Sequence, residues 1–297
     1  MAAGRALACA GFFACAVACA PVGCSLAFPV HGTAGDANDG GEGGAGGGEG
    51  GPGTGIDGAP SGEAGAGGYR ALILDAGPVA YLRFGEAEGS VAKDERNAFA
   101  GTYPAGGVQQ GEPGAIANDP DTAVTFDGTS AITMPPGLDF VGQAPFSVEL
   151  WVKQTKYEEY GITLDHIDET PPRNGWLLRF GEAEFALERW SNGATNGSVQ
   201  RSGAPLPLGS YHHVVATFNG ELIRLFLDGQ PLPTEPLQGL SSLEALGRAW
   251  SIGKQGCCAG QSFHGSLDEL AIYDRALTAP EIAKHHAMGI GQGASSP

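Results

Sequence analysis

Short apolar or alternating runs recur along the chain from residue 69 onwards, each bounded by Gly, Pro, Asn or Asp. The strand-length runs are "PVAYLRFGE", "TAVTFDG", "SAITMP", "FSVELWVKQ", "YGITLD", "GWLLRFG", "EFALERW", "YHHVVATFNG", "ELIRLFLDGQ", "AWSIGK" and "SLDELAIYD". Such runs with turn residues at both ends predict β-strands, and a helix is predicted only at the C-terminus. The pattern indicates one all-β domain of roughly 220 residues.

Two local patterns indicate how the strands are arranged. In "FSVELWVK", alternation at period two gives one amphipathic face and one core face, which is made of Phe146, Val148, Leu150 and Val152. The pair Asn-Gly at 219–220 joins two alternating runs, and Asp-Gly at 228–229 opens the next turn, so hairpins are predicted there. We therefore expect two antiparallel sheets packed face to face.

The last strand-length run, "SLDELAIYD", contains two adjacent carboxylates. Period two predicts that Asp268 faces the core together with Leu270, and that Glu269 lies on the opposite face. A carboxylate directed at a core must be paired, hydrogen-bonded or bound to a metal. Asp268 is therefore expected to cap backbone N–H groups, to pair with Arg83 or Arg275, or to bind a cation.

The segment "LTAPEIAKHHAMG" predicts a short helix after this strand. Thr278 suits the N-cap and Glu281 lies three residues later, which is the spacing of a capping box, and Gly289 is expected to end the helix. His285 and His286 lie side by side on this helix, where we expect a solvated face that binds metal only if a partner approaches.

Composition divides the 297 residues into four segments. Residues 1–27 combine one positive charge with the apolar run "ALACAGFFACAVACAPVG", which predicts a signal peptide and export. Residues 28–68 are rich in Gly and acidic residues and lack Lys and Arg, which predicts a disordered tether. The folded domain is expected at 69–290, followed by a disordered tail at 291–297.

The cysteines bear on anchoring and on redox state. Three are candidates for cleavage and acylation as in a bacterial lipoprotein, namely Cys15, Cys19 and Cys24. The alternative is ordinary cleavage after a small residue such as Ala27. In an oxidising compartment, Cys257 and Cys258 form a vicinal disulfide, pair with another chain, or stay reduced. We expect the vicinal disulfide.

The formal net charge is −17, and the chain has no basic cluster. This charge argues against nucleic acid and against an anionic membrane surface as partners. Membrane attachment is expected only through an N-terminal lipid anchor. The acidity suits a secreted protein and is compatible with calcium.

Five blocks in order resemble the laminin G-like, concanavalin A-like jelly-roll domains of bacterial surface and secreted proteins. The blocks are "VAYLRFGEAEGSVAKDERNAFAGTY", "GAIANDPDTAVTFDGTSAI", "FSVELWVK", "YHHVVATFNGELIRLFLDGQ" and "FHGSLDELAIYDRALTAPEI". The sequence departs from the family pattern at Leu82, where an aromatic residue is usual, and at Tyr211, where Trp is usual. Both residues keep bulk at their positions.

The resemblance implies a sandwich of two curved sheets that binds carbohydrate or protein and often carries a structural calcium ion. We expect an exported, tethered, non-catalytic module that recognises glycan or an extracellular protein at the cell envelope, for instance in adhesion. The alternatives are a polysaccharide-acting glycoside hydrolase on the same fold and a purely structural envelope protein.

The sequence offers little support for catalysis. Glycosidases that share this fold place carboxylates on alternating residues of one strand. In "TLDHIDE" only Asp165 and Glu169 share a face, and the central carboxylate is missing. A Ser/His/Asp site would need His212, His213 or His264, but no "GxSxG" motif is present. The resemblance implies that His213 is a packed, hydrogen-bonded residue.

Aromatic residues near strand ends are the candidate ligand contacts. A sugar stacks its C–H face on such rings and bonds its hydroxyls to planar polar groups. The candidate rings are Tyr157, Tyr160, Trp176, Trp190 and Trp250. Their candidate polar neighbours are Asn192, Arg179 and Glu188. The alternative for each Trp is packing in the core.

The resemblance also implies a place for calcium, because related jelly rolls often join their first and last strands through this ion. Oxygen-rich sites suit calcium. Asp268 is the first candidate ligand, and Glu86 and Asp127 are its expected companions. We expect loss of Asp268 to lower the melting temperature. We also expect it to remove any increase in melting temperature that calcium causes.

Overall fold

Among the residues that the structure describes, sixteen β-strands form two antiparallel sheets of eight strands each, so the predicted all-β sandwich is confirmed. The computed structural model describes residues 66–170, 172–191, 197–237, 239, 242–255 and 261–292. In that part of the chain, no helix is long and apolar enough to cross a membrane. The predictions that lie outside it are those for residues 1–27, for residues 28–65 of the tether, for residues 293–297 of the tail, and for Cys15, Cys19, Cys24, Asn192, Cys257 and Cys258.

The elements follow one another in a simple order. They are α1 (Ala66–Asp75), β1 (Ala80–Leu82), β2 (Val91–Ala92), β3 (Gly101–Thr102), β4 (Val108–Pro113), β5 (Thr122–Asp127), β6 (Ile132–Met134), β7 (Phe146–Gln154), β8 (Ile162–Asp168), β9 (Asn174–Phe180), β10 (Phe185–Trp190), β11 (Ser198–Arg201), β12 (His212–Phe218), β13 (Ile223–Leu227), β14 (Gln230–Pro231), β15 (Trp250–Ile252), β16 (His264–Tyr273) and α2 (Ala279–Gly289).

Strand order places the last strand near the middle of the first sheet. That sheet runs β14-β13-β12-β7-β16-β5-β4, and β1 pairs with β16 beyond the end of β5. The second sheet runs β11-β10-β9-β8-β15-β6-β3-β2. Every run predicted as a strand forms one, and the strands that were not predicted, β2, β3, β4, β11 and β14, are short or lack apolar alternation.

The main core lies between the two sheets. Phe146, Val148, Leu150 and Val152 of β7 are fully buried there, as predicted. From the second sheet, Trp176 packs against Phe146 with ring centroids 5.4 Å apart. Each such side chain contributes about 2 kcal/mol through removal of its apolar surface from water.

Both helices cover the outer face of the first sheet. Trp151 and Tyr273 lie on this face and are buried against Tyr69 and Ile73 of α1 and Ile282 of α2. The indole N–H of Trp151 donates to the hydroxyl of Tyr69 at 2.9 Å. The face predicted to be amphipathic is therefore a second buried layer.

Helix α1 corrects two predictions. It begins at Ala66, so the tether predicted for 28–68 ends in a helix and the folded domain begins earlier than residue 69. A helix had been predicted only at the C-terminus. The signal for α1 is the i,i+4 pair Tyr69 and Ile73, which the preceding Gly-rich sequence obscures, because isolated short helices depend on packing rather than propensity.

A β-bulge at Glu269 corrects the predicted faces of β16. Glu269 has a φ of 54°, and the register with β7 shifts after Asp268. Leu267 and Leu270 therefore both face the core, while Asp268 lies opposite Trp151 of the outer layer. The prediction that Asp268 points into the core is wrong, because one extra residue reverses the alternation.

Helix α2 spans Ala279–Gly289 and carries the predicted capping box. The Thr278 hydroxyl accepts from the Glu281 N–H, and the Glu281 carboxylate accepts from the Thr278 N–H at 2.8 Å. The expectation of a solvated histidine face is wrong for His285, which is 2% exposed. Its side of the helix packs on the first sheet, whose buried Glu149 it contacts.

Candidate functional site

The outer face of the second sheet carries a cavity of about 390 Å³. The described residues with aromatic or aliphatic side chains that line it are Tyr160, Ile162, Leu177 and Trp190. Its polar lining consists of Arg173, Arg179, Arg201, Glu188, Gln255 and Gln261. Strands β8 to β11 supply six of these residues, and the loops that precede β8 and β9 and that follow β15 supply the others.

Strand register explains why these side chains meet. Arg201 of β11, Arg179 of β9 and Ile162 of β8 belong to one cross-strand row. Glu188 of β10 and Leu177 of β9 are directly opposite each other in the next outward-facing row. Side chains in such rows lie about 5 Å apart on the same face. The cavity is thus built on regular sheet geometry.

The floor of the cavity is apolar. Ile162, Ile167 and Leu177 form a small buried cluster that is separate from the main core, and Trp190 packs against it. Aliphatic and indole surface of this kind suits the C–H face of a sugar ring. Tyr160, which is 41% exposed, stands at the rim.

Charged groups at one end form a linked network. Arg179 donates from Nε to Glu188 at 2.6 Å and from Nη2 to Glu184 at 3.1 Å, and its guanidinium lies 5.5 Å from the Tyr160 ring centroid. Glu184 also pairs with Arg201. Burial opposes the charge on Arg179, but attraction from Glu188 and Glu184 outweighs it and raises the pKa of Arg179.

At the other end, polar groups fix the orientation of Trp190. Its indole N–H donates to Glu188 at 3.1 Å, and the guanidinium of Arg173 lies over its ring, 4.6 Å from the centroid. Glu169 pairs with Arg173 and accepts from the Gln255 amide at 2.6 Å. The other amide atom of Gln255, its oxygen, is buried and has no hydrogen-bond partner among the described residues.

The structure brings some predicted ligand contacts together and separates others. Tyr160, Trp190 and Arg179 line the cavity along with Glu188. Trp176 does not, because it is fully buried in the main core and donates its indole N–H to a backbone oxygen there. Its assignment as a ligand contact is therefore wrong.

The two other predicted rings also lie elsewhere. Trp250 is buried in the main core and stacks on His166. The hydroxyl of Tyr157 donates to the backbone oxygen of Leu206 at 3.0 Å, and Tyr157 does not line the cavity. Alternation alone could not distinguish Trp176 from Trp190, because both faces of β9 and β10 are largely buried.

Sequence reasoning missed several lining residues. Arg201 lies on β11, which was not predicted, and Arg173, Gln255 and Gln261 lie in loops. The alternation of "FALERW" could have paired Glu188 with Trp190 on one face. No local pattern indicates which loops fold over that face.

The three carboxylates predicted to bind calcium do not come together. Glu86 accepts a hydrogen bond from the Tyr103 hydroxyl at 2.9 Å, and Asp127 caps the turn that follows it. Asp268 accepts from the backbone N–H of Ala115 at 2.7 Å, which is the capping alternative. Among the residues that the structure describes, no three His, Cys, Asp or Glu side chains could hold a metal ion. Glu86, Asp127 and Asp268 therefore do not form one carboxylate cluster in the described part of the chain, and calcium binding stays a prediction.

The acidic pair in β16 instead belongs to a buried ion-pair cluster. Glu269 accepts from Arg83 at 2.9 and 2.7 Å, and Arg83 also contacts Asp119 at 2.8 Å and Asp121 at 3.0 Å. Burial raises the pKa of Glu269 to about 7, although Arg83 opposes the shift. Burial, followed by the charge of Glu269, also raises the pKa of Asp268.

The histidines serve the outer layer of the first sheet. His213 is fully buried and its Nε2 lies 2.8 Å from Glu149, in agreement with the expected packed role. His212 lies 2.8 Å from Asp228, and His264 lies 3.2 Å from Glu158. The described residues around these side chains include no nucleophile bonded to a histidine.

The carboxylates considered for glycoside hydrolysis lie at different depths. Asp165 is 6% exposed on β8, in register with Leu177. Glu169 follows β8 and is held by Arg173 and Gln255. Neither belongs to the cavity lining among the described residues.

Comparison with known proteins gives one family match and several similar folds. A laminin G domain model, described as the concanavalin A-like lectin/glucanases superfamily, matches residues 126–283. Among curated proteins, none matches the chain.

Three solved structures illustrate the likeness of fold. Trypanosoma rangeli sialidase in complex with 2,3-difluorosialic acid has a TM-score of 0.52 at 18% identity, over 72% of this chain and 33% of that chain. Domain 4 of AbnA, a GH43 extracellular arabinanase from Geobacillus stearothermophilus, in complex with arabinotriose, has a TM-score of 0.52 at 19% identity, over 70% and 98%. The binding domain of Paraclostridial Mosquitocidal Protein 1 has a TM-score of 0.52 at 16% identity, over 72% and 52%. The match thus spans about a third of the sialidase chain and nearly all of the arabinanase domain.

Proposed function

The chain belongs to the concanavalin A-like lectin/glucanases superfamily, and on this premise we propose that it is an exported, tethered, non-catalytic module that binds glycan. The cavity on the outer face of the second sheet is the proposed binding site. It measures about 390 Å³, which lies in the usual range for small-molecule sites. Domain 4 of the arabinanase, a fold neighbour, is a carbohydrate complex.

One observation carries the proposal. Trp190 packs on the aliphatic floor of the cavity, and the polar side chains around it include Arg179, Glu188 and Gln255. A sugar ring would rest its C–H face on this apolar surface, while its hydroxyls would bond to the planar polar groups that border it.

The bonding of Glu188 favours binding over hydrolysis. Its two oxygens accept from Arg179 and from Trp190, respectively. A carboxylate engaged in this way positions neighbouring side chains and is poorly placed to give a proton to a leaving group.

The test is a glycan array probed with the full chain, followed by calorimetry on each glycan that binds. Trp190→Ala should reduce affinity at least about tenfold, because ring stacking carries much of the energy in such sites. Val141→Ala is the control, since Val141 is 55% exposed and lies outside the cavity lining. Absence of any glycan binding would overturn the proposal and favour a structural or protein-binding role.

Catalysis is tested on the same glycans by measuring new reducing ends. The non-catalytic assignment predicts none above the buffer blank. Release that disappears in Glu188→Gln or Asp165→Asn, with binding retained, would instead establish a hydrolase.

A further inference from the structure

We propose that the glycan bound in this cavity carries a carboxylate, so that the ligand is an acidic saccharide such as one that contains a uronic or ulosonic acid. This inference rests on the proposed function and specifies the chemistry of its ligand. The reason lies in the balance of hydrogen-bond donors and acceptors in the lining.

The lining is positively charged within an acidic protein. The described lining residues include Arg173, Arg179 and Arg201 but only one carboxylate, Glu188. The whole chain has a formal net charge of −17. The described lining therefore has an excess of cationic groups over carboxylates, and such groups attract an anionic ligand.

The partner carboxylates stand outside the lining. Glu169 pairs with Arg173, and Glu184 is shared between Arg179 and Arg201. Neither Glu169 nor Glu184 lines the cavity. These carboxylates hold the guanidinium groups in position, and the groups themselves face the ligand space.

Two of these guanidinium groups remain accessible. The side chain of Arg201 is 55% exposed and that of Arg173 is 38% exposed. A planar guanidinium binds a carboxylate through two parallel N–H donors, and such charge-assisted bonds are about twice as strong as neutral ones.

The described lining offers fewer acceptors than donors. Both oxygens of Glu188 already accept hydrogen bonds from protein groups, which leaves the Tyr160 hydroxyl and the amide oxygens of Gln255 and Gln261. A neutral sugar presents hydroxyls that need acceptors as well as donors. A carboxylate needs donors alone, and the arginines supply them.

The test compares saccharides that differ only in the carboxyl group. Trigalacturonic acid is measured against its methyl ester, and sialyllactose against its methyl ester, with the full chain in calorimetry at low salt. At least one acid should bind about tenfold more tightly than its neutral partner. The preference should shrink as salt is raised to about 0.5 M, because ions screen exposed charges.

Arginine variants test whether the preference for the acidic saccharide arises in the cavity. Arg201→Gln and Arg173→Gln should each reduce the ratio of acid to neutral affinity, and the double variant should abolish it. Arg224→Gln is the matched control, because Arg224 is exposed on β13 of the other sheet. Loss of stability is monitored by thermal melting of every variant.

The outcomes separate this inference from the proposed function. Equal binding of acid and neutral partner, or array binding confined to neutral or to sulfated glycans, would overturn the acidic ligand and leave glycan binding intact. Absence of binding to every glycan would overturn both. An acid preference that Arg224→Gln reduces as much as Arg201→Gln does would show that it does not arise in the cavity.

Discussion

The carboxylate of Glu149 in β7 contacts His285 in α2, with 3.0 Å from Nδ1 to each carboxylate oxygen. His213 of β12 and the hydroxyl of Tyr273 in β16 also contact this carboxylate, each at 2.8 Å. Burial alone would raise the pKa of Glu149, but attraction and hydrogen bonds from His285 and His213 outweigh it and hold that pKa well below its usual range. Glu149 thereby joins the last helix to three strands.

The first prediction concerns this buried carboxylate. Glu149→Gln keeps the shape of the side chain but removes its charge, which leaves two buried imidazoles without their anionic partner. A buried polar group left without its hydrogen-bond partner costs about 1 to 3 kcal/mol. We expect urea unfolding at pH 7 to show a loss of that size, whereas Glu221→Gln in the exposed β12–β13 turn should have little effect.

The stabilisation that Glu149 contributes depends on pH in a direction that its pKa determines. The pKa of Glu149 is lower in the folded state than its ordinary value of 4.5, so its stabilisation is fully present above that value and is lost as pH falls below it. The difference in free energy of unfolding between wild type and Glu149→Gln should therefore become smaller at acidic pH. If this difference stayed constant from pH 7 to pH 3, the assigned role would be contradicted.

Glu269 should produce the opposite pH dependence. Its pKa is raised in the folded state from 4.5 to about 7, so its favourable contribution is present below pH 4.5 and is lost as pH rises through 7. Glu269→Gln mimics the protonated form. The variant should gain stability relative to wild type between pH 4.5 and 8, by on the order of 3 kcal/mol, because one pKa unit corresponds to about 1.4 kcal/mol.

Unfolding curves of wild type and Glu269→Gln at pH 5 and pH 8 provide the measurement. The neighbouring Asp268 titrates together with Glu269, so the result describes the pair. If wild type instead gained stability relative to Glu269→Gln as pH rises, Arg83 would control the charge of Glu269 more strongly than burial does.

A substitution at Gly289 separates packing from helix propensity. A Cβ added there would lie 2.3 Å from Cζ2 of Trp151, which is buried on the outer face of the first sheet. Propensity alone predicts that Gly289→Ala stabilises α2. We expect a loss of about 1 to 3 kcal/mol instead, because overpacking must displace the helix.

Gly106→Ala is the matched control for this substitution, because a Cβ on Gly106 meets nothing within 4 Å. Thermal melting of both variants measures the two changes in stability. Equal or higher stability of Gly289→Ala would show that α2 moves away from Trp151 at little cost.

Local sequence predicted the structure correctly where one physical signal dominates. Alternation in "FSVELWVK" identified Phe146 and Leu150 as core, and the spacing of Thr278 and Glu281 identified the start of α2. These features depend on residues within a few positions of one another. Trp190 and Arg179 were also found as candidate contacts from their residue types and strand ends.

Other features depended on contacts between distant segments. The bulge at Glu269 is compatible with its buried pairing to Arg83, which lies far away in the sequence, and it reverses the side on which Asp268 lies. Trp176 and Trp190 lie on the two paired strands β9 and β10, yet one fills the core and the other lines the cavity. Residue type could not distinguish them.

The sequence by itself thus determined the two-sheet architecture, most of the strands and the capped terminal helix, because hydrophobic alternation and capping act over short distances. Tertiary structure alone decided which buried carboxylates pair with which cations, why His285 is buried, and that three arginines share one cavity. Those outcomes require strands and loops that are remote in the chain to meet, and no local pattern encodes the register at which they do so.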